Sequence, residues 1–388
     1  MIKLQIPMFR KIENQAQATP DCISFSQGAL RVGGVPQKIR EYACEIIKTD
    51  KADYYVNAMG IMPLREKIAE CLQKEYGVAI NPHHVFITHG SVGGLTSIFL
   101  ALLNAGDEVI LPAPTYSLYP HVIKMAKAIP IFVEAVFTKD NGESRLSWVF
   151  DFERVKTAMT SKTKMIVVAN PANPTGLSLS EQEVLKLKDF CEKHKIYLVS
   201  DEVYEQFVFE GDFYSTTSLV QKSEYVLRVG SFSKNFSMSG WRVGFVVAPA
   251  HMIDMFAAVQ SGSICCPTAI SQYAALYALD HPEFMVDQIK IVKQDRELAY
   301  NGLFPLVKKG IISVAYPKTG FYLFVKTLEK DCTDMVMDIL KTAKVALAPG
   351  IDFAPFSAHS FRLCYARDPK LVQEGIARLV KYFEEKYL

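Results

Sequence analysis

The chain has 388 residues, 49% hydrophobic and 22% charged, which suits a globular protein large enough for two domains and a sizeable core. Lys+Arg total 43 against Asp+Glu 41, a formal charge of +2 with no long basic block, so composition gives no reason to expect nucleic-acid or membrane binding. The eight cysteines are scattered, with no CxxC pair and no Cys/His cluster of zinc spacing, so free thiols and no metal are expected. The first 15 residues lack the uninterrupted apolar stretch of a signal peptide, and no run approaches a membrane span, which makes the cytoplasm the expected location.

Residues 1 to about 35 read as irregular, and a helix follows near 38–49. Tyr54, Tyr55 and Gly60 fall in a loop before an amphipathic helix that starts near Pro63. From residue 85 short apolar strands alternate with helices: 85–88, 108–111, 129–136, 164–169, 196–201, 225–229 and 243–248. Ser180 with Glu183 reads as a capping box for a helix running to His194. This rhythm predicts an α/β fold, with a mostly parallel seven-stranded sheet between helices. Ligands bind such sheets beyond the carboxyl ends of the strands. The segments HGSVGG, PAPTY, NPANPTG and DEVY fall there.

After about residue 268 long helices give way to short strands (312–315, 321–325, 361–365) and a final helix from 370 to about 384. These predict a smaller α+β domain, completed by the N-terminal arm. The expected division is 1–50 as arm and part of the small domain, 51–280 as the large ligand-binding domain, and 281–388 as the small domain.

The segment SFSKNFSMSGWRVGF, 231–245, places Lys234 between two apolar runs, a strand–loop–strand pattern with the lysine in the loop. Its amine can condense with an aldehyde, and Ser231, Ser233 and Arg242 can hold a phosphate. Pyridoxal 5′-phosphate (PLP) carries both groups. The bland alternative is a solvated lysine and arginine on a loop.

NPANPTG, DEVY and SFSKNFSMSGWRVG, in this order and spacing, resemble the class I/II aminotransferases, the fold-type I PLP enzymes, over most of the chain. The resemblance implies that Lys234 is the Schiff-base lysine and that Asp201 pairs with the pyridine nitrogen. It implies that Tyr204 and Asn173 bond the cofactor's phenolic oxygen and that Tyr116 stacks on the ring. The backbone of Ser91 and Val92, with Ser231, Ser233 and Arg242, would cup the phosphate. Tyr55 would reach the phosphate of a partner subunit, which makes a homodimer with shared active sites the expected state. Arg362 would grip the substrate α-carboxylate, with Gly28 and Asn173 beside it.

The implied reaction is a ping-pong exchange of an amino group between an L-amino acid and a 2-oxo acid, part of amino acid metabolism. The same residues would also serve a PLP-dependent β-lyase, cyclase or oxidase. A non-catalytic ligand-sensing regulator is disfavoured, because only about 35 residues, not strongly basic, precede the family's core. Val92 stands where aspartate-type relatives often carry lysine, which weighs against a strict preference for dicarboxylates. Arg31, in SQGALRVGGVP, has no family counterpart and is expected to be solvated.

Overall fold

The computed structural model describes residues 4–139, 145–211 and 213–388. Seven strands form the central sheet: β1 Val85–Thr88, β2 Glu108–Ala113, β3 Ile129–Glu134, β4 Thr163–Ala169, β5 Tyr197–Asp201, β6 Val226–Ser231 and β7 Gly244–Val247. Their order is β1-β7-β6-β5-β4-β2-β3. Neighbours run parallel except for β7, which is antiparallel to both β1 and β6. Every residue of β1, β6 and β7 is buried, as expected of strands covered on both faces. With only β7 reversed, Thr88, Ala113, Ala169, Asp201 and Ser231 end their strands at one edge of the sheet. The loops that follow them converge there.

A second sheet comprises β8 Ile312–Val314, β9 Tyr322–Thr327, β10 Ala348–Pro349 and β11 Ser360–Cys364, in the antiparallel order β8-β9-β11-β10. The helices Glu283–Lys308 and Pro369–Tyr387 pack together beside it and share its core. Ile23–Ser24 pairs in parallel with Val345–Ala346, which ties the N-terminal segment to this C-terminal unit. Farther along, helix Gln37–Ile47 lies on helix Ala269–Leu279, with the Tyr42 and Tyr277 rings stacked 4.5 Å apart.

Several elements differ from expectation. Residues 1–35 are not irregular throughout: helix α1 spans Met8–Gln17. Its buried face is Phe9, Ile12, Glu13 and Ala16, a helical spacing interrupted by a charge. Glu13 is tolerated there because Ser24 and Ser26 donate to Oε2, each at 2.5 Å, and Arg31 donates to Oε1 at 3.0 Å. Burial pushes the Glu13 carboxyl up, but these donors outweigh burial and hold it below the usual range. Arg31 is therefore half-exposed and ion-paired rather than freely solvated. The hairpin Val136–Lys139/Leu146–Val149 and the helices Phe152–Thr157, Ala250–Ile264 and Thr333–Thr342 were also absent from the periodicity reading. The capping box at Ser180 and Glu183 is present as expected.

Candidate active site

A cavity of about 480 Å³ opens at the carboxyl edge of the central sheet. Lys234 reaches into it from a four-residue helical turn, Phe232–Asn235, that replaces the expected open loop after β6. The turn forms because Ser231 caps it, its Oγ accepting from the Ser233 N–H at 3.1 Å. Lys234 Nζ donates to the Gly28 carbonyl at 2.6 Å. Burial lowers the lysine's pKa to about 8, with Arg362 and Arg242 pushing the same way and Asp201 opposing.

Asp201 ends β5 and is 4% exposed. Its Oδ2 accepts from the Tyr119 hydroxyl at 2.7 Å. Its Oδ1 is buried and accepts no well-formed hydrogen bond among the described residues, although the Val203 N–H lies near the carboxyl. Burial pushes this carboxyl up to about 6, against the pull of the Tyr119 hydroxyl, the Val203 N–H and Lys234. The next residue, Glu202, turns away from the cavity and pairs with buried Arg228 at 2.7 Å.

Three residues from three elements form a chain of hydrogen bonds. Arg362, in β11, donates from Nη1 to Asn173 Oδ1 at 3.1 Å. Asn173 Nδ2 donates to the Tyr204 hydroxyl at 3.2 Å. Arg362 Nη2 also donates to the Ser26 carbonyl, and the guanidinium lies 4.7 Å and 4.8 Å from the rings of Tyr322 and Phe353. The side chain is 3% exposed, so the aromatic faces and carbonyls around it replace water.

At the other end of the cavity, helix α2, Gly90–Leu102, begins directly after β1. Ser91 and Val92 lie in its first turn, where backbone N–H groups have no helical acceptor. Gly90 has φ +68, and a Cβ there would sit 2.4 Å from Arg242 Nη2, so only glycine lets this turn meet the arginine. Arg242 donates to the Ser239 carbonyl at 2.7 Å. Ser91, Val92, Ser233 and Arg242 line one corner of the cavity, and helix N–H groups with a guanidinium are a donor set suited to an anion. Tyr116 forms the wall, its ring edge-on to Tyr119 at 5.3 Å.

The cavity thus gathers Gly28, Ser91, Val92, Tyr116, Asn173, Asp201, Tyr204, Ser233, Lys234, Arg242 and Arg362. Two sequence candidates are not among its lining residues. Ser231 is buried beneath the lysine turn as its cap. Tyr55 projects from the chain with 85% of its surface exposed, beside Tyr54 at 76%. Sequence reasoning passed over Tyr119, Tyr322 and two residues of α1, Phe9 and Arg10. Tyr119 had a visible signal, its place in PAPTYSLY. Arg10 lay in a stretch read as irregular, and its guanidinium has no hydrogen bond or ion pair among the described residues, only the Phe9 ring at 5.2 Å.

The family model described as aminotransferase class I and II matches residues 20–379. The chain belongs to this family. It is 34% identical over 376 residues to a probable aspartate/prephenate aminotransferase of Aquifex aeolicus, covering 94% of this chain and 92% of that one. Aspartate aminotransferase from Thermus thermophilus, solved with maleate, superposes with a TM-score of 0.87 at 29% identity, over 97% of both chains. An aromatic aminotransferase from Pyrococcus horikoshii gives 0.85 at 29% identity, over 97% of this chain and 99% of that one. The fold is that of these enzymes, and the chain is an aminotransferase. Among the described residues of this aminotransferase no three His, Cys, Asp or Glu side chains are grouped to hold a metal, and no helix is long and apolar enough to cross a membrane.

Proposed function

We propose that this aminotransferase is a cytoplasmic homodimer that uses PLP to move an amino group between an L-amino acid and a 2-oxo acid. The observation that carries this reading is the orphaned Asp201 Oδ1, buried in the same cavity as a lysine whose pKa is lowered to about 8. A buried carboxylate oxygen without a donor is costly, and a protonated ring nitrogen would satisfy it. The corner at Ser91, Val92 and Arg242, reached because Gly90 leaves space for the arginine, suits the phosphate in the same way.

Bound PLP supplies an electron-withdrawing ring that accepts charge developing at the substrate α-carbon. Asp201 would keep the ring nitrogen protonated. Lys234, partly free base near neutral pH, would act as nucleophile and then take the proton from the substrate α-carbon. Arg242, Ser233 and the N–H groups of Ser91 and Val92 would hold the phosphate. Tyr116 would cover the ring face, and Tyr204 and Asn173 would donate toward its phenolic oxygen.

Arg362 would hold the substrate α-carboxylate, with Asn173 and Gly28 beside it. Closure of 281–388 and part of 1–50 over 51–280 would carry Arg362 onto the substrate and expel water. In the dimer, exposed Tyr55 would complete the neighbouring site. Arg10, a cation at the cavity with no ion pair among the described residues, supports a second carboxylate on one of the two substrates. The cation missing at Val92 is thus offered from another element, and relatives described as aspartate aminotransferases agree with that reading.

The test is an absorbance titration with single amino acids and no 2-oxo acid. A visible band that bleaches with an amino acid and returns with 2-oxoglutarate is expected. A band that persists while ammonia, pyruvate or peroxide accumulates would replace transamination with a lyase or oxidase reaction. No band with PLP supplied would remove the cofactor assignment.

A further inference from the structure

Tyr322 lies in β9, outside every motif that marks the family in this sequence, yet its hydroxyl is 2.7 Å from that of Tyr204. Both phenols are buried, at 1% and 4% exposure, and burial holds both protonated at neutral pH. The direction of the proton between them follows from counting partners.

Arg362 Nη1 donates to Asn173 Oδ1, which fixes the amide so that its Nδ2 must face Tyr204. Tyr204 Oη therefore already receives one donor. Tyr322 Oη has Tyr204 as its only hydrogen-bond partner among the described residues. If Tyr322 accepted from Tyr204, its own proton would be stranded in a fully buried site, facing the Arg362 guanidinium and the Gly28 backbone. If it donates, its proton is satisfied and both lone pairs of Tyr204 Oη are filled. The Tyr204 proton then has one direction left, into the cavity that Tyr204 lines.

We infer that Tyr322 is a positioning residue: it donates to Tyr204 and so aims and strengthens the Tyr204 O–H as a donor into the cavity. Hydrogen bonds in a chain polarise one another, so a phenol that receives two donors gives a stronger bond in turn. Resting on the PLP reading above, the acceptor is the phenolic oxygen of the cofactor. Tyr322 thus sets, through Tyr204, how readily the cofactor–lysine adduct loses its proton. Gly28 leaves the hydroxyl its space, because a Cβ at that position would lie 2.5 Å from it.

The test is the pH midpoint of the visible absorbance band in PLP-loaded wild type, Tyr322→Phe, Tyr204→Phe and the double variant. Phenylalanine keeps the ring that packs edge-on against Tyr204, with centroids 5.6 Å apart. Tyr322→Phe should raise the midpoint by about half a unit. Tyr204→Phe should raise it further, and the double variant should match Tyr204→Phe alone, because Tyr322 acts only through Tyr204. An unchanged or lowered midpoint in Tyr322→Phe, or a double variant shifted by the sum of the singles, overturns the proposal.

Should Tyr322→Phe fail to fold, Tyr322→Leu removes the same hydroxyl with a smaller apolar side chain. It must raise the midpoint in the same direction or the proposal fails. Absence of any band in wild type would instead defeat the PLP reading, and the two failures are thereby distinguished.

Discussion

Arg362 Nη1 and Asn173 Oδ1 meet at 3.1 Å although 189 positions separate them in the chain. The bond joins the C-terminal sheet to the loop after β4 and links the arginine proposed for the substrate carboxylate to the Tyr204 hydroxyl. Asn173→Ala removes the acceptor from a buried guanidinium and one donor from Tyr204. The loss of one charge-assisted bond, about 1.5–3 kcal/mol, should lower kcat/KM for the amino acid about 10–100-fold. A change under about twofold in steady-state assays would mean that the linkage carries no function.

Lys234 is expected to be both nucleophile and base. Lys234→Ala should abolish the visible band and lower kcat by about 10²–10⁴-fold or more. In the cofactor-free wild type, the lysine's pKa of about 8 means that its free amine grows as pH rises toward 8 and saturates above it. Stopped-flow capture of PLP should therefore reach half its maximal rate near pH 8 and level off above about pH 9. A rate still climbing at pH 10 would show an ordinary, unburied lysine.

Asp201 is raised from 3.8 to about 6 in the fold, so the folded state binds its proton more tightly than the unfolded chain does. Its stabilising contribution is full below about pH 4 and is lost as pH rises through about 6. Asp201→Asn should therefore stabilise the cofactor-free protein at pH 8 by up to about 3 kcal/mol, and by little at pH 4. Denaturant midpoints at the two pH values read this directly, and equal shifts at both would contradict it.

Tyr55 is expected to serve a partner's site. Tyr55→Ala should weaken PLP binding about 10–100-fold through the loss of one bond to a charged phosphate. At a PLP concentration too low to load Tyr55→Ala, mixing it with Lys234→Ala and allowing subunits to exchange should restore activity that neither variant shows alone under those conditions. Mixtures that stay inactive after exchange would place Tyr55 outside the partner's site.

Arg10 offers the cavity a cation from α1 that has no ion pair among the described residues. Arg10→Ala should lower kcat/KM for aspartate or glutamate about tenfold relative to leucine. Equal losses for acidic and neutral donors would assign the arginine to packing or to the phosphate.

α1 itself depends on a distant residue. Its first turn is held by Asp352, which accepts from the N–H groups of Met8 at 3.0 Å and Phe9 at 2.6 Å. The sequence around Met8 carries no side-chain cap and has a glutamate on its buried face, so the helix was not legible locally. The seven strands were legible, because buried parallel strands are continuous apolar runs and their ends are marked by glycine, proline and asparagine.

The residues of the cavity were legible through motifs whose order and spacing resemble the family. Asp201 ends a strand, Asn173, Tyr204 and Lys234 lie in the turns after three strands, and Arg242 lies just before the reversed strand, all at the carboxyl edge where such sheets bind ligands. The sequence therefore determined the fold class and, through that resemblance, most of the side chains that the structure brings to one cavity at the carboxyl edge of the sheet. Only the tertiary structure decided which long-range partners those side chains meet: Tyr119 on Asp201, Tyr322 on Tyr204, Asn173 on Arg362 and Asp352 beneath α1. Periodicity records which face of an element is buried, whereas a hydrogen bond between distant elements depends on how those elements pack, and that packing leaves no periodic trace in the chain.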